Sequence, residues 1–375
     1  MRKILIPLLL TALILCSLAG CETKPSNPTK ANITNNTALP PSAAQTRIIT
    51  DLGGNEVAIP SISEIKQVVI ITPPVTSVLL EAIPDKNMIV GLSPKAFAFS
   101  NADIMAKLFP NYTDVDTTFV GDDFSINTEA LLQLNPDIIL YYGEVQKKGL
   151  ANIGLPIINF FSPKLTDPKD VTVAWDNLLR EIFDADTNEG LQSEWQLSDE
   201  RVAELLAKQT GEPKRALCVF SNVGGSLVVS GSSSFDSYAQ SFFDKAGLIN
   251  VAADIEGTAE VDMEQIYNWN PDLIFIFHNA PAKAFLANSI AGQDWSLLDA
   301  WKNKAIYDIP QTAYSWGAPC ADSPMMPLWL ISKAYPELLS ENDFRAELTN
   351  YYERLHRVTL TDGDITSILS LREAR

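Results

Sequence analysis

The chain has 375 residues, 46% of them hydrophobic and 9% aromatic, enough apolar material for two domains of ordinary size and too much for a disordered chain. Its 28 basic residues are outnumbered by 46 acidic ones, a net charge of −18 that repels nucleic acid and anionic lipid and argues against both as partners. Only two histidines are present, which argues against a site for bare zinc or manganese built from several converging nitrogens.

In chain order, Arg2 and Lys3 precede an apolar run from Ile4 to Leu18 and then Leu18-Ala19-Gly20-Cys21. A charged start, an apolar stretch too short to span a membrane comfortably and small residues before a cleavage point make residues 1–20 an export signal. The ending resembles the bacterial lipoprotein processing box, which implies cleavage before Cys21 and acylation of its thiol; an ordinary secretory signal that happens to contain cysteine is the alternative. Residues 21–46 are rich in Asn, Thr and Pro. They read as a disordered tether with a reach of roughly 25–30 Å. An exported body held at the membrane by acyl chains on Cys21, at the cell surface or the periplasmic face, is the resulting expectation.

From Arg47 the pattern is that of a folded body. ITDLGGNEVAIP forms a hairpin turning at Gly53-Gly54, Gln67 to Ile71 a buried strand, and Pro73-Pro74 the start of an apolar helix running to Ile83. Met88 to Leu92 and Leu155 to Phe160 are further strands. The stretch Ile126 to Tyr142, INTEALLQLNPDIILYY, recurs as Val261 to Phe277, VDMEQIYNWNPDLIFIF. Asn127 and Asp262 cap a helix in each copy, Asn-Pro ends it, and the apolar run that follows is a strand buried on both faces. Two similar lobes with central, mostly parallel sheets follow, spanning 47–165 and 213–375. Between them, in 166–212, Val171 to Phe183 and Leu191 to Gln209 read as one long, stiff helical linker. The second lobe opens with the strand Arg215 to Phe220, a Gly/Ser-rich stretch to Ser234 and a helix over 235–246. It adds the strand Ala305 to Ile309 and ends in helices over 325–335, 341–355 and 364–371. The fold class is therefore α/β, two lobes each with helices packed on a central, mostly parallel sheet.

Several of these stretches, among them VVIITPPVTSVLLEAI, TEALLQLNPDIIL, FSNVGGSLVVSG, MEQIYNWNPDLIFI and SWGAPCADSPMMPLWLISKAYPELL, resemble the periplasmic binding proteins of ABC importers for iron complexes and corrinoids. The resemblance covers about 47–370 and departs from the family pattern at Thr76-Ser77 and Ala246-Gly247-Leu248, which leaves the ligand subgroup open. It implies two Rossmann-like lobes joined by the helical linker, with the ligand cleft between them, in a receptor that delivers a ferric siderophore, haem or corrinoid to a permease dimer with its ATPase subunits. A monomer without a cofactor of its own is expected, and the lack of a Cys-x-x-Cys, phosphate-loop or nucleophile-elbow motif argues against catalytic activity. Glu129 and Glu264 match the surface glutamates that dock on the permease in this family; the blander account is a charge stabilising each helix N-terminus. Cleft candidates lie just past the strands or on loops that would close over a ligand: Pro73, Pro74, Ser93, Lys95, Asp122, Phe124, Tyr142, Gly143, Glu144, Ser221, Asn222, His278, Asn279, Trp316 and Cys320. Trp316 offers the largest apolar face, its alternative being a core tryptophan beneath the terminal helices. His278 is placed either to coordinate a metal centre or to serve the structure, while His356 falls in a polar stretch expected to be solvated. Cys218 reads as inert core, unpaired with Cys320. A small oxyanion such as molybdate, held by the hydroxyls of SGSSS at 230–234, is the competing ligand, and a surface enzyme or structural protein that has lost transport is the competing class.

Overall fold

The computed structural model describes residues 46–186, 190–234 and 237–373; the expected signal, Cys21 and the tether to residue 45 lie outside them. Strands β1 (Thr46–Thr50) and β2 (Glu56–Pro60) form the antiparallel hairpin expected at Gly53-Gly54. The first lobe then runs β3 (Val68–Ile70), α1 (Pro73–Ala82), β4 (Ile89–Leu92), α2 (Lys95–Ala98), α3 (Ala102–Leu108), α4 (Thr128–Gln133), β5 (Ile138–Tyr141), α5 (Gly143–Lys147) and β6 (Ile157–Asn159). Its sheet is wholly parallel in the order β4-β3-β5-β6. The apolar run of β5 is continuous because both faces are covered. Ile138 and Leu140 enter the large central core, while Ile139 and Tyr141 enter a smaller outer one.

The linker corrects the expectation of one long helix. It is an antiparallel pair, α6 (Pro168–Phe183) and α7 (Leu191–Leu206). The ion pair of Lys169 with Asp199 at 2.6 Å, the Trp195 indole donating to Thr172 Oγ1 at 2.9 Å and Leu191 N donating to Asp176 Oδ2 at 2.9 Å zip the two helices together. Reversal is built at Asp184, left-handed at φ 52°, and at Gly190, φ 124°. A Cβ on Gly190 would lie 2.3 Å from Asp176 Oδ2, so only glycine passes there.

The second lobe holds β7 (Arg215–Val223), β8 (Ser226–Ser230), α8 (Ala239–Lys245), β9 (Ile249–Asn250), β10 (Thr258–Glu260), α9 (Met263–Trp269), β11 (Leu273–Ile276), α10 (Ala282–Leu286), α11 (Asp299–Lys302) and β12 (Ile306–Asp308). Strands β9, β7, β11 and β12 are parallel; the Gly/Ser-rich stretch doubles back as β8, antiparallel to β7, and β10 pairs antiparallel with β8 at the edge. Helices α12 (Met326–Ala334), α13 (Glu341–Tyr351) and α14 (Asp362–Leu369) follow, with a π turn at Tyr352–His356.

Residues of both lobes and the linker, Ile70, Trp175, Phe275 and Trp329 among them, share the central core. Helix α14 reaches back to the first lobe through the Lys107–Asp364 pair at 3.3 Å and Asn101 Nδ2 donating to Ser367 Oγ at 2.9 Å. At about 1.5–3 kcal/mol per fully buried aliphatic or aromatic side chain, this shared core makes separating the lobes expensive.

The repeat shows what each shared residue does. Asn127 Oδ1 accepts from Ala130 N and Asp262 Oδ1 from Gln265 N, closing the helix starts. Asn135 and Asn270 take left-handed φ of 48° and 39° and end the helices. Asp137 Oδ2 accepts from the backbone of Lys66 and Gln67, and Asp272 Oδ2 from that of Arg215, tying each repeat to the strand beside it. Glu129 and Glu264, both exposed, make no hydrogen bond or ion pair among the described residues.

Candidate ligand-binding cleft

A cavity of about 520 Å³ opens between the lobes, at the carboxyl ends of the parallel strands. The first lobe contributes Thr72, Pro73 and Pro74 at the start of α1, Lys95 and Phe99, the loop residue Phe124, and Tyr142, Val145 and Gln146 after β5. Trp175 comes from the linker. Phe220, within β7, and Phe277, the residue after β11, join His278, Tyr238, Tyr314, Ala318 and Pro319 from the second lobe. Aromatic rings therefore stand on both sides of the opening.

Lys95 is the only formally charged side chain among the described residues of this wall. Its Nζ lies 4.8 Å from the centroid of the Phe124 ring, where the ring's negative face attracts it. Phe124 sits at φ 62°, a strained position for a bulky residue. The loop is held tight by Phe124 N donating to Gly121 O at 3.0 Å and Ser125 N to Asp123 Oδ1 at 3.0 Å.

His278 is packed among rings, with centroids 3.5 Å from Phe277, 4.2 Å from Phe99 and 5.5 Å from Phe220. Burial, helped by the nearby positive charge of Arg372, pushes its pKa down to about 3, so the imidazole is neutral at pH 7. Among the described residues its buried Nδ1 has no hydrogen-bond partner. A neutral imidazole with an unengaged ring nitrogen is the form that binds a metal centre.

Of the expected liners, Pro73, Pro74, Lys95, Phe124, Tyr142 and His278 stand together on the cavity wall, and Ser93, Gly143, Ser221 and Asn279 do not. Asp122 is exposed and outside the wall, and Glu144 pairs with Lys147 at 3.2 Å on the surface. Asn222 is buried instead against Gln293, its Nδ2 donating to Gln293 Oε1 at 2.7 Å.

Trp316 and Cys320 are corrected outright. Trp316 is 0% exposed, donates through Nε1 to Thr312 Oγ1 at 3.0 Å and packs beside Phe344; it is core, not cleft. Cys320 is equally buried, and burial raises its thiol pKa, so it is an inert thiol in the same core. The segment from Tyr314 to Asp322 is thus no loose flap. It lies so close to β11 that a Cβ on Gly317 would meet the Phe277 ring at 2.4 Å.

His356, expected in solvent, is 5% exposed and wedged between two carboxylates. Nor do the hydroxyls of SGSSS face the cavity. Ser232 donates to Ile255 O, and Ser233 pairs with Ser241.

A family model described as "Periplasmic binding protein" matches residues 68–313. This chain belongs to that family. Among its relatives, the molybdate-binding protein MolA of Haemophilus influenzae is 24% identical over 348 residues, 85% of this chain and 93% of MolA. MolA solved with molybdate bound superposes with a TM-score of 0.66 at 21% identity over 84% of this chain and 99% of MolA. A periplasmic solute-binding protein of Veillonella parvula superposes with a TM-score of 0.71 at 25% identity, covering 87% of this chain and 97% of its own. CeuE of Helicobacter pylori, in a Ni-His complex, gives 0.68 at 20% identity over 87% and 100%.

Proposed function

We propose that this protein is the lipid-anchored solute receptor of an ABC importer, and that its interlobe cleft captures a bulky, partly apolar metal chelate: a ferric siderophore, haem or corrinoid. The observation that carries this reading is the cleft wall itself. An opening of about 520 Å³ with aromatic rings from both lobes suits a large flat or domed guest. Lys95 supplies one positive charge for an anionic edge, and His278 on the same wall supplies an uncharged imidazole to an apolar guest.

Delivery rests on Glu129 and Glu264. Both carboxylates are exposed at equivalent helix starts in the two lobes and free of structural partners among the described residues, a pair suited to gripping a two-subunit permease. Acylated Cys21 would hold the body at the membrane, where the permease and its ATPase subunits lie.

Molybdate is the second reading, favoured by the similarity to MolA over 85% of the chain. A tetrahedral oxyanion calls for a small pocket dense in N–H and O–H donors, whereas this opening is wide and its donors, Thr72, Lys95, Tyr142, Gln146, Tyr238 and Tyr314, are spread among rings and prolines. The protein purified from its native host should carry an absorption band of haem, corrin or ferric chelate, and should bind haemin or a ferric tricatecholate more tightly than molybdate. Tight molybdate binding with no response to any chelate would overturn the chelate reading.

A further inference from the structure

We propose that His356 is a positioning residue that sets the width of the cleft, by tying the wall carried by α1 to the opposing wall carried by residues 310–322. The imidazole is fully buried, with Nδ1 2.7 Å from Glu81 Oε1 and Nε2 2.8 Å from Asp322 Oδ1. Glu81 lies near the end of α1, whose first residues, Pro73 and Pro74, line the cavity. Asp322 ends the segment that places Tyr314, Ala318 and Pro319 on the other side. One side chain therefore spans the two lobes behind the ligand opening.

Both arms are braced. On the α1 side, Ala321 N donates to Ser77 Oγ at 3.0 Å, and Ser77 Oγ donates to Pro74 O at 2.9 Å, carrying the link one turn nearer the cavity. On the loop side, Asp322 Oδ2 accepts from Tyr352 Oη at 3.1 Å and from Thr312 Oγ1, which in turn accepts from the Trp316 indole at 3.0 Å. Thr312 N donates to Tyr314 O at 3.0 Å, so the loop that presents Tyr314 closes on itself around the same carboxylate.

The charged and titratable groups around the imidazole are Glu81 from α1, Asp322 from the loop and Tyr351 and Tyr352 from α13 and the π turn. Lys86, Arg180, Glu194, Arg354 and Arg357 stand on the adjoining cavity wall. Burial opposes a charge on His356, but the two carboxylates outweigh it and its pKa is pushed up to about 10. Both ring nitrogens then donate, and each holds one arm. Buried ion clusters add little net stability compared with apolar packing, but their hydrogen bonds are directional and resist sliding of the groups they join. That property suits a spacer between two walls that an apolar contact would let slide.

The test is amide hydrogen exchange on the full chain without ligand, so its outcome does not depend on which ligand the cleft takes. In His356→Gln, exchange should quicken roughly tenfold or more in both 73–82 and 310–323 while strands β7 and β11 keep their protection. Glu81→Gln, which spares folding if His356→Gln does not, should loosen 73–82 first and lower the pKa of His356, read from its imidazole resonances. Returning a cation with His356→Lys should restore protection to at least one of the two segments. Unchanged exchange in both segments of a folded variant, or a rise spread evenly over the chain, would overturn the proposal.

Discussion

His278 and His356 are the only imidazoles in the chain, and the fold gives them opposite surroundings. Among the described residues His278, in the cleft, is stacked on Phe277 with no carboxylate paired to it and its Nδ1 unengaged. His356, behind the cleft, has a carboxylate on each nitrogen. Burial is common to both, so it does not decide their charge; the neighbours do. The cleft is built of rings, which can be rearranged around a guest at modest cost. The junction behind it is built of directional, charged contacts that tolerate no rearrangement. A receptor that must accept and release a ligand has placed its adaptable material in front and its rigid material behind.

The largest expected effect comes from breaking the rear half of this contrast. His356→Ala leaves Glu81 and Asp322 buried without the cation they share, although Asp322 keeps its hydrogen bonds from Tyr352 and Thr312, and should cost about 3–5 kcal/mol of stability. His278→Ala removes a neutral ring from an aromatic stack and should cost roughly 1–2 kcal/mol, with the loss felt in chelate binding instead. Chemical denaturation of both variants reads this directly, and equal losses would erase the distinction between the two regions.

Proton linkage sharpens the same comparison. An unfolded histidine titrates near pH 6.5. The folded pKa of His356 is raised to about 10, so its contribution to stability is complete below about pH 6.5 and drains away as pH rises toward 10. His278 is lowered to about 3, so its contribution is complete above about pH 6.5 and is lost as pH falls toward 3. With two histidines in the chain, selective isotope labelling gives two imidazoles to observe. At pH 7 one should be an imidazolium and the other neutral. Two neutral signals would remove the charge from the junction and with it the physical basis of the contrast.

Most of the architecture is legible in the sequence because it is written in local patterns. The repeat, the Asn-Pro helix ends and the doubly buried strand runs each follow from two or three adjacent residues. The linker misled because its apolar spacing runs on through two helices, while the reversal depends on Gly190 clearing Asp176, a contact between residues 14 apart. The cleft is legible in part. Looking just past each strand as the sequence bounds it finds Tyr142 and His278 but misses Phe220 and Phe277, the last residues of those expected strands, which also stand on the cavity wall. Trp316 was attractive for its size, yet its indole N–H is spent on Thr312 in the core. His356 looked solvated because its sequence neighbours are polar, and nothing nearby in the chain announces Glu81 or Asp322.

The smallest effect on the fold should accompany the largest on transport. Of the residues shared by the two repeat copies, Asn, Pro and Asp serve caps, helix ends and strand ties, and Ile packs inside. Glu129 and Glu264 hold nothing among the described residues, and their only physical service to the fold is a negative charge in the first turn of a short helix. Reversing either to lysine forfeits that service, about 0.3–1 kcal/mol each. The cleft lies at the strand ends and neither carboxylate lines it, so chelate affinity should not change. If the two lobes grip two permease subunits, each single reversal should weaken transporter stimulation and the double reversal should abolish it. Making Glu129→Lys and Glu264→Lys separately then asks whether the two halves of the repeat are equal partners in docking. Uptake by the double variant at the wild-type rate would leave the helix dipole as the whole reason for both residues.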